Sequence, residues 1–149
     1  MINNITICGI FLMLLSGQGE PGCASRQGIE GRIVFESGNR MPGPGVVHEP
    51  AKGVKRELLV YPLLSAAELK SEGNGFYGEP AESPVETVTS REDGNFRVQL
   101  PPGKYSLLVR EKAKFYANRL DGEGNVFPVE VKPGEILQVE FKINYEATY

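Results

Sequence analysis

VETVTSREDGNFRVQLPPGKYSLLV, residues 85–109, holds three runs of strand composition separated by two clusters of turn-forming residues. Residues 85–90 are rich in Val and Thr, which suit a pleated, half-buried backbone. Glu92-Asp93-Gly94-Asn95 follows as a hairpin turn, because glycine tolerates the positive φ that such turns need. Phe96, Val98 and Leu100 then alternate with Arg97 and Gln99, which predicts a strand with one face in a core and one in water. Pro101-Pro102-Gly103 stops that strand, since proline cannot donate to a ladder and glycine lets the chain reverse. Tyr105, Leu107 and Val109 resume the alternation on the way back.

The same period of two extends in both directions. Ile33 and Phe35 share a face in the run from Gly31 to Glu36, and Ser37-Gly38-Asn39 reads as the turn that ends it. Residues 56–62, RELLVYP, form a strand with Leu58, Val60 and Pro62 on one side. Residues 63–70, LLSAAELK, are the one stretch with the composition of a helical turn. Residues 126–132 and 135–145 supply two further strands around a Lys132-Pro133-Gly134-Glu135 turn. Two Gly/Pro-rich insertions, residues 38–53 and 71–83, are too broken for helix or central strand. Eighteen Gly and eleven Pro among 149 residues exceed the usual share of about 12%. The fold expected is all-β, an antiparallel sandwich of some seven short strands in one domain.

The N-terminal end has a different character. Residues 5–15, ITICGIFLMLL, make an apolar run of the length of a signal-peptide core, short of the roughly 20 residues that span a bilayer. The organisation expected is a signal peptide over residues 1–22, a linker over 23–27 and the domain over 28–149. Cys23 stands where a bacterial lipoprotein carries its acylated cysteine, and it is the candidate lipidation site. The alternatives are ordinary cleavage near residues 17–19, or a Cys23 that is only a spare thiol. Cys8 leaves with the signal in either case, so no intrachain disulfide is expected.

Asp93-Gly94-Asn95-Phe96 followed by Pro101-Pro102-Gly103-Lys104-Tyr105 resembles the carboxypeptidase regulatory-like domain family, which pairs a DGxF hairpin with a PPGxY turn. The family's GxV opening strand corresponds to Gly31-Arg32-Ile33-Val34. The chain is also similar to small exported proteins of Bacteroidetes bacteria, through GNRMPGPG at 38–45, ANRLDGEGN at 117–125 and the NYEATY tail at 144–149. The resemblance implies a transthyretin-like, seven-stranded antiparallel sandwich acting as a stabilising, spacer or binding module rather than as a catalyst. It implies no cofactor.

Composition restricts the chemistry further. A net charge of −3 gives no electrostatic footprint for nucleic acid. His48 is the one histidine and lies in a Gly/Pro loop, so it reads as a solvated side chain. Hydroxyisourate hydrolases, which need several histidines, and intradiol dioxygenases, which need two, are excluded by count. Asp121, Glu123 and Asn125 are oxygen donors at alternate positions, as in calcium loops. Val126 and Lys132 then break the EF-hand spacing, so a plain Gly-rich turn is the competing reading. Phe76, Tyr77, Phe115, Tyr116 and Tyr149 lie near loops and ends, where they either stack on a sugar or peptide or cap the core.

The expected function is a non-catalytic exported module of the cell envelope whose partner is an envelope protein or polysaccharide. Attachment to the membrane is expected through lipid on Cys23 only. A calcium-stabilised carbohydrate-binding or adhesion module is the alternative, and a small hydrolase on the same fold is the second.

Overall fold

The computed structural model describes residues 26–149. The signal peptide expected over residues 1–22 and the candidate Cys23 therefore lie outside the described residues. Among the described residues there are eleven strands and no helix. In chain order they are β1 (Gly28–Asn39), β2 (Lys52–Gly53), β3 (Glu57–Pro62), β4 (Ser71–Gly73), β5 (Phe76–Tyr77) and β6 (Glu86–Thr89). The remainder are β7 (Asn95–Gln99), β8 (Gly103–Glu111), β9 (Lys114–Tyr116), β10 (Pro128–Val131) and β11 (Ile136–Thr148). Four of these have only two or three residues.

The strands make two mostly antiparallel sheets, a β-sandwich. In the first, β1 lies between β11 on one side and β7 and β2, end to end, on the other. The β1–β11 pair is parallel, running from Gly28 opposite Ile136 to Asn39 opposite Thr148. The second sheet has the order β4-β5-β9-β8-β3-β6, with β10 against the start of β8. Ile29, Ile33, Phe141 and Ile143 of the first sheet and Leu58, Val60, Leu107 and Val109 of the second are fully buried.

Several local expectations change in the folded chain. Ser37-Gly38-Asn39 is not a turn: β1 runs through it after a register shift between Phe35 and Ser37, because β11 continues alongside. The turn at Glu92-Asp93-Gly94-Asn95 forms, closed by Gly94 N–H to the Arg91 carbonyl and Arg91 N–H to the Asn95 carbonyl, both at 2.9 Å, but the strands on its two sides do not pair with each other. β6 before it pairs β3, and β7 after it pairs β1, so the turn carries the chain from one sheet to the other. A side chain at Gly94 would meet the Ile33 carbonyl at 2.2 Å, which is why glycine stands there. The Pro101-Pro102-Gly103 and Lys132–Glu135 turns also pass between sheets. Tyr105 donates its hydroxyl to the Pro101 carbonyl at 2.6 Å and closes the first of them, as tyrosine corners do in sandwiches.

β3 and β8 are buried on both faces rather than one. The cover is the chain after β3. Leu64 and Leu69 are buried, and the Leu64 N–H bonds the fully buried Ser106 hydroxyl at 2.8 Å. Ser106 alternates with Leu107, so it points away from the first sheet. Residues 63–70 form a tight non-helical turn, and the insertion at 71–83 contributes β4 and β5 to the second sheet. The other insertion is exposed over residues 41–50, His48 included, while its two ends join the first sheet as the end of β1 and as β2.

Candidate functional site

The site is built where β5, β9 and β11 meet at one end of the sandwich. Cross-strand register places Tyr116 beside Phe76 and Val109. The inward positions of β11 deliver Tyr145 onto the same spot from the first sheet. Ring centroids of Phe76 and Tyr116 are 5.2 Å apart, Phe76 and Tyr145 5.0 Å, and Tyr116 and Tyr145 5.5 Å. These tilted and edge-to-face contacts are the arrangement aromatic quadrupoles favour. Phe35 closes the cluster against Tyr145 at 5.7 Å.

Polar tips of these rings enter two networks. Beneath the cluster, the Tyr145 hydroxyl donates to Glu111 Oε1 at 3.0 Å, and Arg56 Nε donates to Glu111 Oε2 at 2.6 Å. Glu111 is only 6% exposed, so the carboxylate is a latch between the sheets. Burial, reinforced by this carboxylate, pushes the Tyr145 hydroxyl up to about 12. Above the cluster, Asn144 Oδ1 accepts from the Tyr116 hydroxyl at 2.8 Å and from Asn118 Nδ2 at 3.0 Å. Asn144 Nδ2 donates to the Tyr149 hydroxyl at 2.9 Å, which donates on to Glu36 Oε2 at 3.1 Å. Burial raises the Tyr116 hydroxyl above the usual tyrosine value as well.

Over this network lies an open groove of about 470 Å³, walled by the Asn74-Gly75 turn, residues 117–120 and the end of β11. That volume is in the range of small-ligand sites. Gly75, with φ +82°, lets the turn approach: a Cβ there would sit 2.8 Å from the Tyr116 ring and from the Ala117 carbonyl. Arg119 forms part of the wall. Its guanidinium lies 4.2 Å over the Phe127 ring, and Nη2 donates to the Pro128 carbonyl at 3.2 Å. Phe127 takes φ +36°, strained for a bulky residue, and its ring stacks on Phe141 at 4.5 Å.

The aromatics singled out from sequence separate here. Tyr116 and the buried Tyr77 line the groove, Phe76 packs on Tyr116 and Tyr145 in the cluster beneath, and Tyr149 is 63% exposed at the rim. Phe115 is not brought in: it packs on Tyr61 under Arg110, on the outer face of the second sheet. Asn118, Arg119 and Asn144 carry the groove; Arg119 opens the 119–125 run whose oxygen donors suggest a ligand loop, while no motif marks Asn118 or Asn144. An asparagine inside a regular strand is a depleted type, and at Asn144 that was the available signal.

Asp121, Glu123 and Asn125 lie together, and the Asp121 carboxylate turns inward on its own loop. Asp121 Oδ1 accepts from the Glu123 and Asn125 N–H groups at 2.9 and 2.8 Å, and Oδ2 from Asn125 Nδ2 at 2.8 Å. These bonds hold the Asp121 carboxyl below the usual carboxylate range. Asp93 and Asn95 repeat the device in the turn before β7. Among the described residues no group of three or more His, Cys, Asp or Glu converges as a metal site. A larger depression, about 630 Å³, lies on the solvent face of the first sheet. Its lining carries two carboxylates against one guanidinium: Glu30, bonded to Gln138 at 2.5 Å, Glu140, 3.5 Å from Lys142, and Arg32, bonded to the Asp93 carbonyl at 2.9 Å.

No family model, curated protein or solved structure matches the chain.

Proposed function

We propose that this chain is a non-catalytic binding module of the bacterial cell envelope, a transthyretin-like sandwich of the carboxypeptidase regulatory-like kind that holds its ligand in the tyrosine–asparagine groove. The observation that carries the reading is the network over the aromatic floor. Phenol and amide groups from β9, the following loop and β11 converge there on one another. Such groups donate and accept hydrogen bonds without supplying a base or nucleophile at neutral pH. Export through residues 1–22 and acylation of Cys23 belong to the same reading, and place the module in the periplasm or at the outer membrane. The groove favours a polysaccharide partner over a protein one, and it needs no calcium, because Asp121 is committed to its own loop.

Two experiments test this. Intact mass of protein from bacterial membranes should show a diacyl- or triacyl-glyceryl cysteine that disappears in Cys23→Ser. In ¹H–¹⁵N spectra of the full chain, envelope polysaccharide fractions should shift resonances of residues 74–77, 116–120 and 144–149. Shifts confined to residues 41–50, or to the face around Glu30 and Glu140, would refute the groove.

A further inference from the structure

We infer that the groove takes an acidic saccharide, with a sugar carboxylate received by Arg119 and the ring hydroxyls by the amides and phenol beside it. The inference rests on the groove being the binding site, and it adds the chemical class of the ligand.

Charge is the first argument. The chain has more acidic than basic residues, 19 against 16, yet Arg119 is the single charged side chain in the groove lining. Glu36 stands behind the Tyr149 hydroxyl, and Lys112 is turned to the Tyr145 ring at 4.6 Å and to Glu146 at 3.6 Å. A lining with one guanidinium and no Asp or Glu side chain favours an anion.

Preorganisation is the second. Arg119 is exposed but not free to wander, because the Phe127 ring lies under it and the Pro128 carbonyl takes one of its N–H groups. A guanidinium has five N–H donors in a rigid fork, so four are left among the described residues. A planar carboxylate fits that fork in two parallel hydrogen bonds.

The third argument separates a sugar from an acidic peptide. An extended peptide is recognised along a free strand edge. Here β5 has β4 and β9 on its two sides, and on β11, the edge strand at the groove, the Asn144 N–H is already taken by the Tyr116 hydroxyl at 3.2 Å. The groove instead offers Asn74 and Asn118 amides, the Tyr149 hydroxyl and exposed ring, and the half-exposed Leu120. Amides and phenols match hydroxyls that both donate and accept, and an aromatic or aliphatic face matches the apolar side of a sugar ring.

The test is titration of the full chain, followed in ¹H–¹⁵N spectra, with galacturonate, glucuronate and mannuronate trimers. Their neutral hexose counterparts and a glutamate-rich peptide serve as comparison probes. At least one uronate trimer should shift residues 74–75, 116–120 and 144–149, and should bind at least about tenfold tighter than its neutral counterpart. Arg119→Gln should remove that preference, and Arg119→Lys should restore only part of it, since lysine lacks the fork. Unchanged far-ultraviolet circular dichroism and melting temperature would show that both variants are folded. Equal binding of neutral and acidic trimers, indifferent to Arg119→Gln, would overturn the acidic assignment and leave the groove reading standing. Preference for the peptide would overturn the saccharide. Shifts elsewhere, or none with any probe or with envelope polysaccharide, would overturn both readings.

Discussion

Replacing Tyr145 by phenylalanine removes one hydroxyl from the latch between the sheets and leaves the ring in place. The lost bond runs 3.0 Å to a carboxylate that is almost fully buried. Hydrogen bonds to charged groups contribute about 1.5–3 kcal/mol. Arg56 still holds Glu111 at 2.6 Å, so the lower end applies, about 1.5 kcal/mol. For a domain of this size that is a fall of about 6 °C in melting temperature.

The pH dependence makes the test specific. In the unfolded chain a tyrosine loses its proton near pH 10, whereas folded Tyr145 holds it to about 12. Between those values the unfolded state binds one proton fewer than the folded state, so stability falls as pH rises. The contribution is fully present below pH 10 and is lost through pH 12, at up to about 1.4 kcal/mol per pH unit, trimmed by Tyr145's partial exposure. The wild-type advantage of about 1.5 kcal/mol at pH 8 should therefore shrink to almost nothing near pH 11. Tyr61, Tyr77, Tyr105 and Tyr116 are raised too, so both proteins weaken in alkali, and the difference between them isolates Tyr145. Urea unfolding followed by circular dichroism at pH 8, 9, 10 and 11 measures it. A gap that stays constant with pH, or no gap at pH 8, would refute the latch.

Three further outcomes follow from local geometry. Lys112 and Ala113 both have positive φ, 50° and 60°, in the two-residue turn between β8 and β9, so Lys112→Asn with Ala113→Gly should raise stability by about 1 kcal/mol in urea titrations. Gly31→Ala would place a Cβ 1.7 Å from the Val139 carbonyl and force β1 from β11; a loss of about 3 kcal/mol or more is expected, read as melting temperature or failure to fold. Asp93 and Asp121 have depressed carboxyl values, so their contribution is present above about pH 4 and lost as pH falls below it. Asp93→Ala with Asp121→Ala should lower the melting point at pH 7 and flatten its fall in acid, while millimolar calcium should leave wild type unmoved.

Much of the strand pattern is legible residue by residue. Phe96, Val98 and Leu100 are buried and Arg97 and Gln99 exposed, as strict alternation requires. The Asp93-Gly94-Asn95 and Pro101-Pro102-Gly103 turns stand where their residue types place them. The Lys112-Ala113 turn was invisible, because neither residue carries the positive-φ preference it adopts. Of the groove, the sequence marked Tyr116 and Tyr149 as aromatics near ends. It offered no reason to join Asn144 to Tyr116, 28 residues away, or Tyr149 to Glu36 across 113.

What the sequence by itself determined is the all-β class, because side-chain alternation and turn chemistry are local properties that each short segment expresses alone. Which strands pair was decided only in the tertiary structure. The 92–95 and 101–103 turns, which read as chain reversals, became crossings between sheets, because period two says which side chains share a face and nothing about the neighbour. The parallel β1–β11 pair, the covering of β3 and β8 by residues 63–70, and the groove depend on burying whole faces together. That free energy belongs to the assembled sandwich and to no single stretch of its chain.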